Sequence, residues 1–305
     1  MSDLRETHDR PQTLTIAVIG DVHDLWDDAD AIALDRLGVD LALFVGDFGN
    51  ESVPVVRQIA QLDRPKAAIL GNHDAWYTAT DWGRKKCPYD RQQENRVQQQ
   101  LDLLGDAHVG YGALDFPQFE LAVVGGRPFS WGGSKWHNAQ FYRQWYDVTN
   151  FEESVDRIVS TATATDQNTL ILLGHTGPTG LGALAEDPCG KDWEPRGGDY
   201  GDPDLEAAID RIRQSGKTVP LVAFGHMHHQ LRHTKTQLRR CIHVSPDGET
   251  VYLNAARTPR IVSTPTGTHR NFSLVSLQGC QVSQIKLVWI DENYRIVENT
   301  TLYNR

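Results

Sequence analysis

Residues 67–74 read Ala67-Ala68-Ile69-Leu70-Gly71-Asn72-His73-Asp74, an apolar run that stops abruptly in a glycine and three polar side chains. A short buried strand would deliver those three side chains at its carboxyl end, where open α/β sheets place their ligands. Asn72 offers a neutral amide oxygen to a metal, and His73 offers a nitrogen that titrates near neutral pH. Asp74 is placed in sequence to hold that imidazole in one tautomer. Taken alone, Asn-His-Asp is also an ordinary polar turn after a strand. It does not stand alone.

Working back toward the start, Leu14 to Ile19 is β-branched, bounded by Gly20, and ends in Asp21-Val22-His23. On an extended segment the side chains of Asp21 and His23 share a side, which predicts that both reach one metal ion. Asp28 to Leu37 has helical spacing of apolar residues and closes at Gly38, a usual helix stop. Leu41 to Val45 is a second apolar strand, ending in Gly46-Asp47, and Ser52 to Leu62 is a second helix with Pro54 in its first turn. Strand, helix, strand, helix, strand predicts right-handed βαβ units in a parallel sheet.

From Ala75 to about Asn150 the alternation loosens and aromatic residues accumulate, with a helix expected over Asp90 to Leu104 whose glutamine-heavy face is solvated, and a strand over Phe119 to Val124. This segment is read as a cap or insertion, about 75–150, overhanging the sheet edge. Alternation resumes with a helix over Phe151 to Thr161 and a strand over Thr169 to Leu173 that ends in Gly174-His175. The glycine-rich loop Gly177 to Gly182 lacks the ending of a P-loop and the spacing of a dinucleotide fingerprint. Residues 183–204 form a long loop rich in turn formers, from which Lys191 and Arg196 can face a substrate. A helix over Asp204 to Arg213 precedes Val219 to Phe224 and then Gly225-His226-Met227-His228, again a strand ending in ligand-capable side chains. The remainder, with strands over 251–254, 272–277, 281–290 and 294–302, supplies a second sheet.

Composition narrows the function. With 39% hydrophobic and 23% charged residues among 305, the chain has material for a full core. The net charge of −10 disfavours nucleic acid and anionic membranes as partners. No apolar run is long enough to span a bilayer, and the polar stretch Met1 to Gln12 gives no sign of a secretory leader. Cys87, Cys189, Cys241 and Cys280 form no C-x-x-C pair, which disfavours both a zinc–thiolate site and a disulfide framework and makes a reducing cytoplasm the expected home.

Five blocks thus recur in order at strand ends: Asp21-x-His23, Gly46-Asp47, Gly71-Asn72-His73-Asp74, Gly174-His175 and Gly225-His226-x-His228. Together they resemble the motif set of the calcineurin-like metallophosphoesterase superfamily, in every block and over most of the chain. The resemblance implies a single domain over 1–305: a four-layer α/β/β/α sandwich of two mixed sheets flanked by helices. It implies that Asp21, His23 and His228 bind one metal ion, that Asn72, His175 and His226 bind a second, and that Asp47 bridges them. His73 would be the proton donor or oxyanion stabiliser, oriented by Asp74.

The implied reaction is hydrolysis of phosphomonoesters or phosphodiesters by attack of a metal-bridging hydroxide, with the ions about 3.5–4 Å apart. Four imidazoles, one amide and two carboxylates suit two divalent or trivalent ions, with Mn, Fe or Zn preferred over Ca or Mg. The phosphate-ester substrate is expected to be a small molecule, a nucleotide among the candidates, with Arg127, Lys191 and Arg196 as substrate-binding residues. The alternatives are a nuclease of the same superfamily and a non-catalytic interaction scaffold. Acidic charge argues against the first and the complete ligand set against the second.

Overall fold

The computed structural model describes residues 13–305; the polar stretch 1–12, read above for a leader, lies outside the described residues. The chain begins β1 (Leu14–Ile19), α1 (Asp28–Arg36), β2 (Leu41–Phe44), α2 (Val53–Ala60), β3 (Lys66–Ala68). Strands buried on both faces with helical returns between them pair in parallel, and here Val18 stands opposite Leu43, and Phe44 opposite Ala68. The start of α1 is set by Asp27, whose side chain accepts from Ala29 N–H at 2.9 Å. Such a cap satisfies a donor that the first turn cannot.

Next come α3 (Trp76–Ala79), α4 (Asp81–Lys86), α5 (Arg96–Leu104), β4 (Ala113–Phe116), β5 (Leu121–Gly125), α6 (Ala139–Tyr146) and α7 (Phe151–Ala164). They are followed by β6 (Thr169–Leu173), α8 (Pro203–Gln214), β7 (Thr218–Phe224), β8 (Ile242–Val244) and β9 (Val251–Asn254). The chain closes with a meander of β10 (Ile261–Thr264), β11 (Gly267–Gln278), β12 (Gln281–Ile290) and β13 (Ile296–Asn304).

Two mixed sheets result. One runs β13-β12-β11-β1-β2-β3, with β10 beside β11; the other runs β4-β5-β6-β7-β9-β8. Alternation along each strand divides the core in two. Ile16, Val18, Leu43, Val275 and Ile285 of the first sheet pack with Val123, Ile171, Leu221 and Leu253 of the second. The intervening residues, such as Ala17, Phe44, Leu172 and Val222, face outward onto the helices. Period-two side-chain direction therefore builds a helix–sheet–sheet–helix sandwich.

Several boundaries differ from the sequence reading. The helix expected from Asp90 starts at Arg96, because the Asn95 side chain caps it by accepting from Gln98 N–H. Its glutamine face is not all solvated: Gln100 is buried and donates to the Asp74 carbonyl at 2.8 Å. Segment 75–150 is only partly an overhang, since β4 and β5 are integral to the second sheet. Three short strands escaped notice (β4, β8, β10), each having few fully buried positions to show alternation. No helix among the described residues is long and apolar enough to cross a membrane.

Candidate metal centre

The loops after β1, β2, β3, β6 and β7 converge at the carboxyl ends of the parallel strands of both sheets. Close approach of these loops requires glycine at two points. A Cβ on Gly71 would lie 2.3 Å from Asp47 Oδ1, and one on Gly46, whose φ is +94°, would lie 2.5 Å from Gly71 N. Four of the converging side chains sit on left-handed backbone: Asp21 at φ 44°, His23 at 45°, Asp47 at 53° and His226 at 67°. Asp21 and His23 are thus brought together by a tight turn beyond β1, and the extended segment expected for them is not what aligns them. Such positions cost about 1–3 kcal/mol each and persist where function holds them.

The seven predicted ligands form one constellation. His228 Nε2 lies 3.3 Å from Asp21 Oδ2 and 3.2 Å from His23 Nε2. On the other side, Asn72 Oδ1 lies 2.9 Å from both His175 Nε2 and His226 Nδ1, which are 3.2 Å apart. Asp47 stands between the groups, its Oδ1 3.3 Å from His175 Nε2 and its Oδ2 4.0 Å from His23 Nε2. Donor atoms about 3 Å apart are what ligands at about 2.1 Å from a common ion require.

Second contacts orient these donors. His175 Nδ1–H donates to the Val45 carbonyl at 2.7 Å, leaving Nε2 with its lone pair toward the centre. Asp21 Oδ1 accepts from His226 N–H at 3.0 Å. Asp21 Oδ2 is buried with no hydrogen-bond partner among the described residues. A buried carboxylate oxygen without a hydrogen-bond donor, ringed by imidazole nitrogens, fits a metal ion. Burial alone would raise the carboxyls, but His228 beside Asp21, and His175 and His73 beside Asp47, hold both below the usual carboxylate range. Burial pushes His226 down to about 3, reinforced by His175. At neutral pH Asp21 and Asp47 are therefore carboxylates and His226 is neutral, while the Asp21 carboxylate, against the effect of burial, holds His228 above the usual histidine range. A donor set of carboxylates and imidazoles fits metal ions.

The family model of the calcineurin-like phosphoesterases matches residues 14–230, a span that contains all seven of these residues. The chain belongs to that family. No curated protein matches it in sequence. One solved structure aligns over 90% of this chain and 98% of its own at 11% identity and TM-score 0.53, which shows a shared fold. A dimetal phosphatase from Danio rerio aligns over 96% and 99% at 15% identity and TM-score 0.49. A protein of Thermus thermophilus aligns over 96% and 100% at 12% identity and TM-score 0.48.

His73 projects its Nε2 to 4.0 Å from Asp47 Oδ2. Its orientation does not come from Asp74, which corrects the sequence reading. The Asp74 carboxylate is fully buried and accepts from the backbone N–H of Gly71 at 2.7 Å, and of Asp47 and Phe48 at 2.9 Å each. Asp74 thereby ties the loop after β2 to the loop after β3. The partner of His73 is Asn50, whose Oδ1 lies 2.6 Å from Nδ1, while Trp76 stacks on the imidazole at 4.5 Å.

The three cations expected to bind substrate differ in what they face. Arg127 is 2% exposed and is consumed by Asp202 at 2.6 Å and Asp204 at 2.9 Å, with Trp136, Tyr142 and Phe151 around its guanidinium. Arg196 is exposed and pairs with Glu194. Lys191 sits over the Trp193 and Tyr200 rings at 5.9 and 5.8 Å and, like Arg196, does not line the cavity above the centre.

That cavity, of about 420 Å³, is bounded instead by Trp76, Trp131, Trp193, Tyr200, Arg232 and Arg239 among others. A larger cavity of about 680 Å³ lies between α3–α4 and α6 and contains none of the ligand residues. Arg239 went unnoticed in the sequence for want of any motif. It is buried, donates to the His228 carbonyl at 3.0 Å, and gives Nη1 to the carbonyls of Ala185, Asp187 and Gly190. It fastens the long loop 183–204 to the backbone of a metal-ligand candidate. His229, next to His228 in the chain, is buried with Nε2 3.0 Å from the Asn254 carbonyl.

Proposed function

We propose that the protein is a dinuclear metal-dependent phosphoesterase that hydrolyses a small phosphomonoester or phosphodiester. The observation that carries this reading is Asp47, whose two carboxylate oxygens face separate histidine groups, His175 and His226 on one side and His23 and His73 on the other. Asp21, His23 and His228 would hold one ion, Asn72, His175 and His226 the other, with Asp47 shared. Four imidazoles beside two carboxylates and an amide favour Mn, Fe or Zn over Ca or Mg. Two such ions, when bound, supply Lewis acidity toward the phosphoryl oxygens and a hydroxide nucleophile at neutral pH.

The chain supplies the rest. His73, whose Nδ1–H donates to Asn50 Oδ1, presents Nε2 to the centre. Because burial lowers its pKa, Nε2 must first take up a proton, for example the one released by the attacking water, before giving it to the departing ester oxygen. Trp76 covers one face of its ring and limits access of bulk water. A cavity of about 420 Å³ is the size of a small-molecule site, and its enclosure supports a small ester over a polymeric nucleic acid. The four free thiols support a reducing compartment, and hence the cytoplasm.

Chelator-stripped protein reloaded singly with Mn, Fe, Zn, Co, Ni or Mg is assayed on p-nitrophenyl phosphate and bis-p-nitrophenyl phosphate. Metal-dependent release that disappears in Asp47→Asn is expected, and the ratio of the two rates assigns monoester or diester preference. Release that survives both chelation and Asp47→Asn would overturn the proposal.

A further inference from the structure

The cavity beside the centre has an unusual wall. Trp76 stacks on His73, and Trp131 stacks on Trp76 at 5.2 Å and 28°, so a column of rings leads outward from the candidate proton donor. Trp193 and Tyr200, set edge to face at 4.8 Å, are contributed by the loop 183–204. Both Trp131 and Trp193 are half-buried, so part of each ring faces the open space.

The wall is pre-formed. Gly133 N–H donates to the Tyr200 carbonyl at 3.0 Å, joining the loop of Trp131 to the loop of Trp193. Arg239 fastens the other end of that loop, and the buried Arg127–Asp202 pair, joined by Ser130, fastens its exit. A rigid aromatic wall binds a planar ring without first being ordered, which spares about 0.5–1.5 kcal/mol per side chain.

Aromatic walls also recognise quaternary ammonium groups. Here that ligand is disfavoured by charge. The Arg232 guanidinium already lies 5.2 Å over the Trp193 ring, and the Lys191 amine lies near both Trp193 and Tyr200. The nearby carboxylate of Asp192 is occupied by Arg232 N–H at 2.9 Å and by the Arg239 guanidinium at 3.4 Å. Rings overlaid by guanidinium favour planar, electron-rich heterocycles and the anions attached to them.

The geometry points to a subsite for a planar aromatic ring, formed by Trp131, Trp193 and Tyr200 with Arg232 at its rim. The substrate is then a phosphate ester of a ring-bearing alcohol, with its ring held against the wall that runs outward from His73. This assignment rests on the phosphoesterase reading for the ester, and on the cavity alone for the ring.

The test is calorimetric binding of adenosine, benzyl alcohol, ribose and choline to the metal-loaded protein, beside p-nitrophenyl phosphate turnover. Adenosine is expected to bind at least about tenfold more tightly than ribose, as base–aromatic stacking provides. That gap should shrink in Trp193→Ala and Trp131→Ala and survive in Trp193→Phe, with turnover of p-nitrophenyl phosphate still metal-dependent. Adenosine above benzyl alcohol identifies a nucleobase, and the reverse identifies a simple aryl group; either keeps the ring subsite. Equal affinity for adenosine and ribose in the unmutated protein would overturn it, as would choline binding more tightly than both. A protein that shows the adenosine gap yet releases no p-nitrophenolate with any metal keeps the subsite and loses the catalytic reading.

Discussion

His73 Nδ1 lies 2.6 Å from Asn50 Oδ1, across the loops that follow β3 and β2. A neutral amide here orients the imidazole without the charge that a carboxylate would bring. Loss of an orienting contact of this kind typically costs about ten- to a hundredfold. Asn50→Ala should therefore lower kcat by that factor, with bound metal and KM little changed; steady-state kinetics beside metal analysis checks it. An unchanged kcat would remove Asn50 from the mechanism.

Asp74 behaves differently because its partners are backbone amides. Asp74→Ala leaves the N–H groups of Asp47, Phe48 and Gly71 without their acceptor in a buried loop. The expected cost is about 3 kcal/mol or more, read as a lowered urea midpoint. Full stability with reduced kcat would instead restore the catalytic assignment.

Metal stoichiometry separates the two carboxylates. Asp47→Asn should hold less than one ion per chain after desalting, since both groups of donors lose their shared oxygen. Asp21→Asn should retain about one, because the Asp21 carboxylate groups with the ring nitrogens of His23 and His228 and not with the donors His175 and His226. Plasma mass spectrometry of both variants decides this, and two ions retained by Asp47→Asn would contradict a shared ligand.

Arg127 is expected to stabilise the fold, since it is buried and paired with Asp202 and Asp204. Arg127→Ala strands Asp202 and Asp204 in a dry interior, a loss of about 3–5 kcal/mol. Thermal denaturation should show a large fall in midpoint. A raised KM at unchanged stability would return Arg127 to the substrate.

Acid should destabilise the protein through two buried histidines. Burial pushes His108 and His229 down to about 4, and both ring nitrogens of His108 are buried without a hydrogen-bond partner among the described residues. In the unfolded chain each takes up its proton near 6.5, so between there and about pH 4 the unfolded state binds more protons. Stability present above pH 6.5 is lost as pH falls through this window, up to about 3 kcal/mol per histidine. His108→Leu should flatten the fall of the thermal midpoint between pH 6.5 and 4; an unaltered slope would refute its part.

The chain by itself determined the strand–helix alternation from β1 to β3 and which ligand-type side chains would gather at one edge. Apolar runs such as Leu41–Val45 have one low-energy use, burial in a sheet, and a polar block at the end of each run must emerge at the same edge. Asp21, His23, Asp47, Asn72, His73, His175, His226 and His228 were legible for that reason. Tertiary structure alone decided what each polar side chain faces. Asp74 adjoins His73 in sequence, yet its side chain turns to the amides of a neighbouring loop, and Asn50, 23 residues away, takes the imidazole. Arg127 lies on a glycine-rich loop that reads as exposed, but the exit of the loop 183–204 brings two carboxylates to it. Charge pairing and hydrogen bonding act over about 3 Å through space, and separation along the chain does not encode that distance.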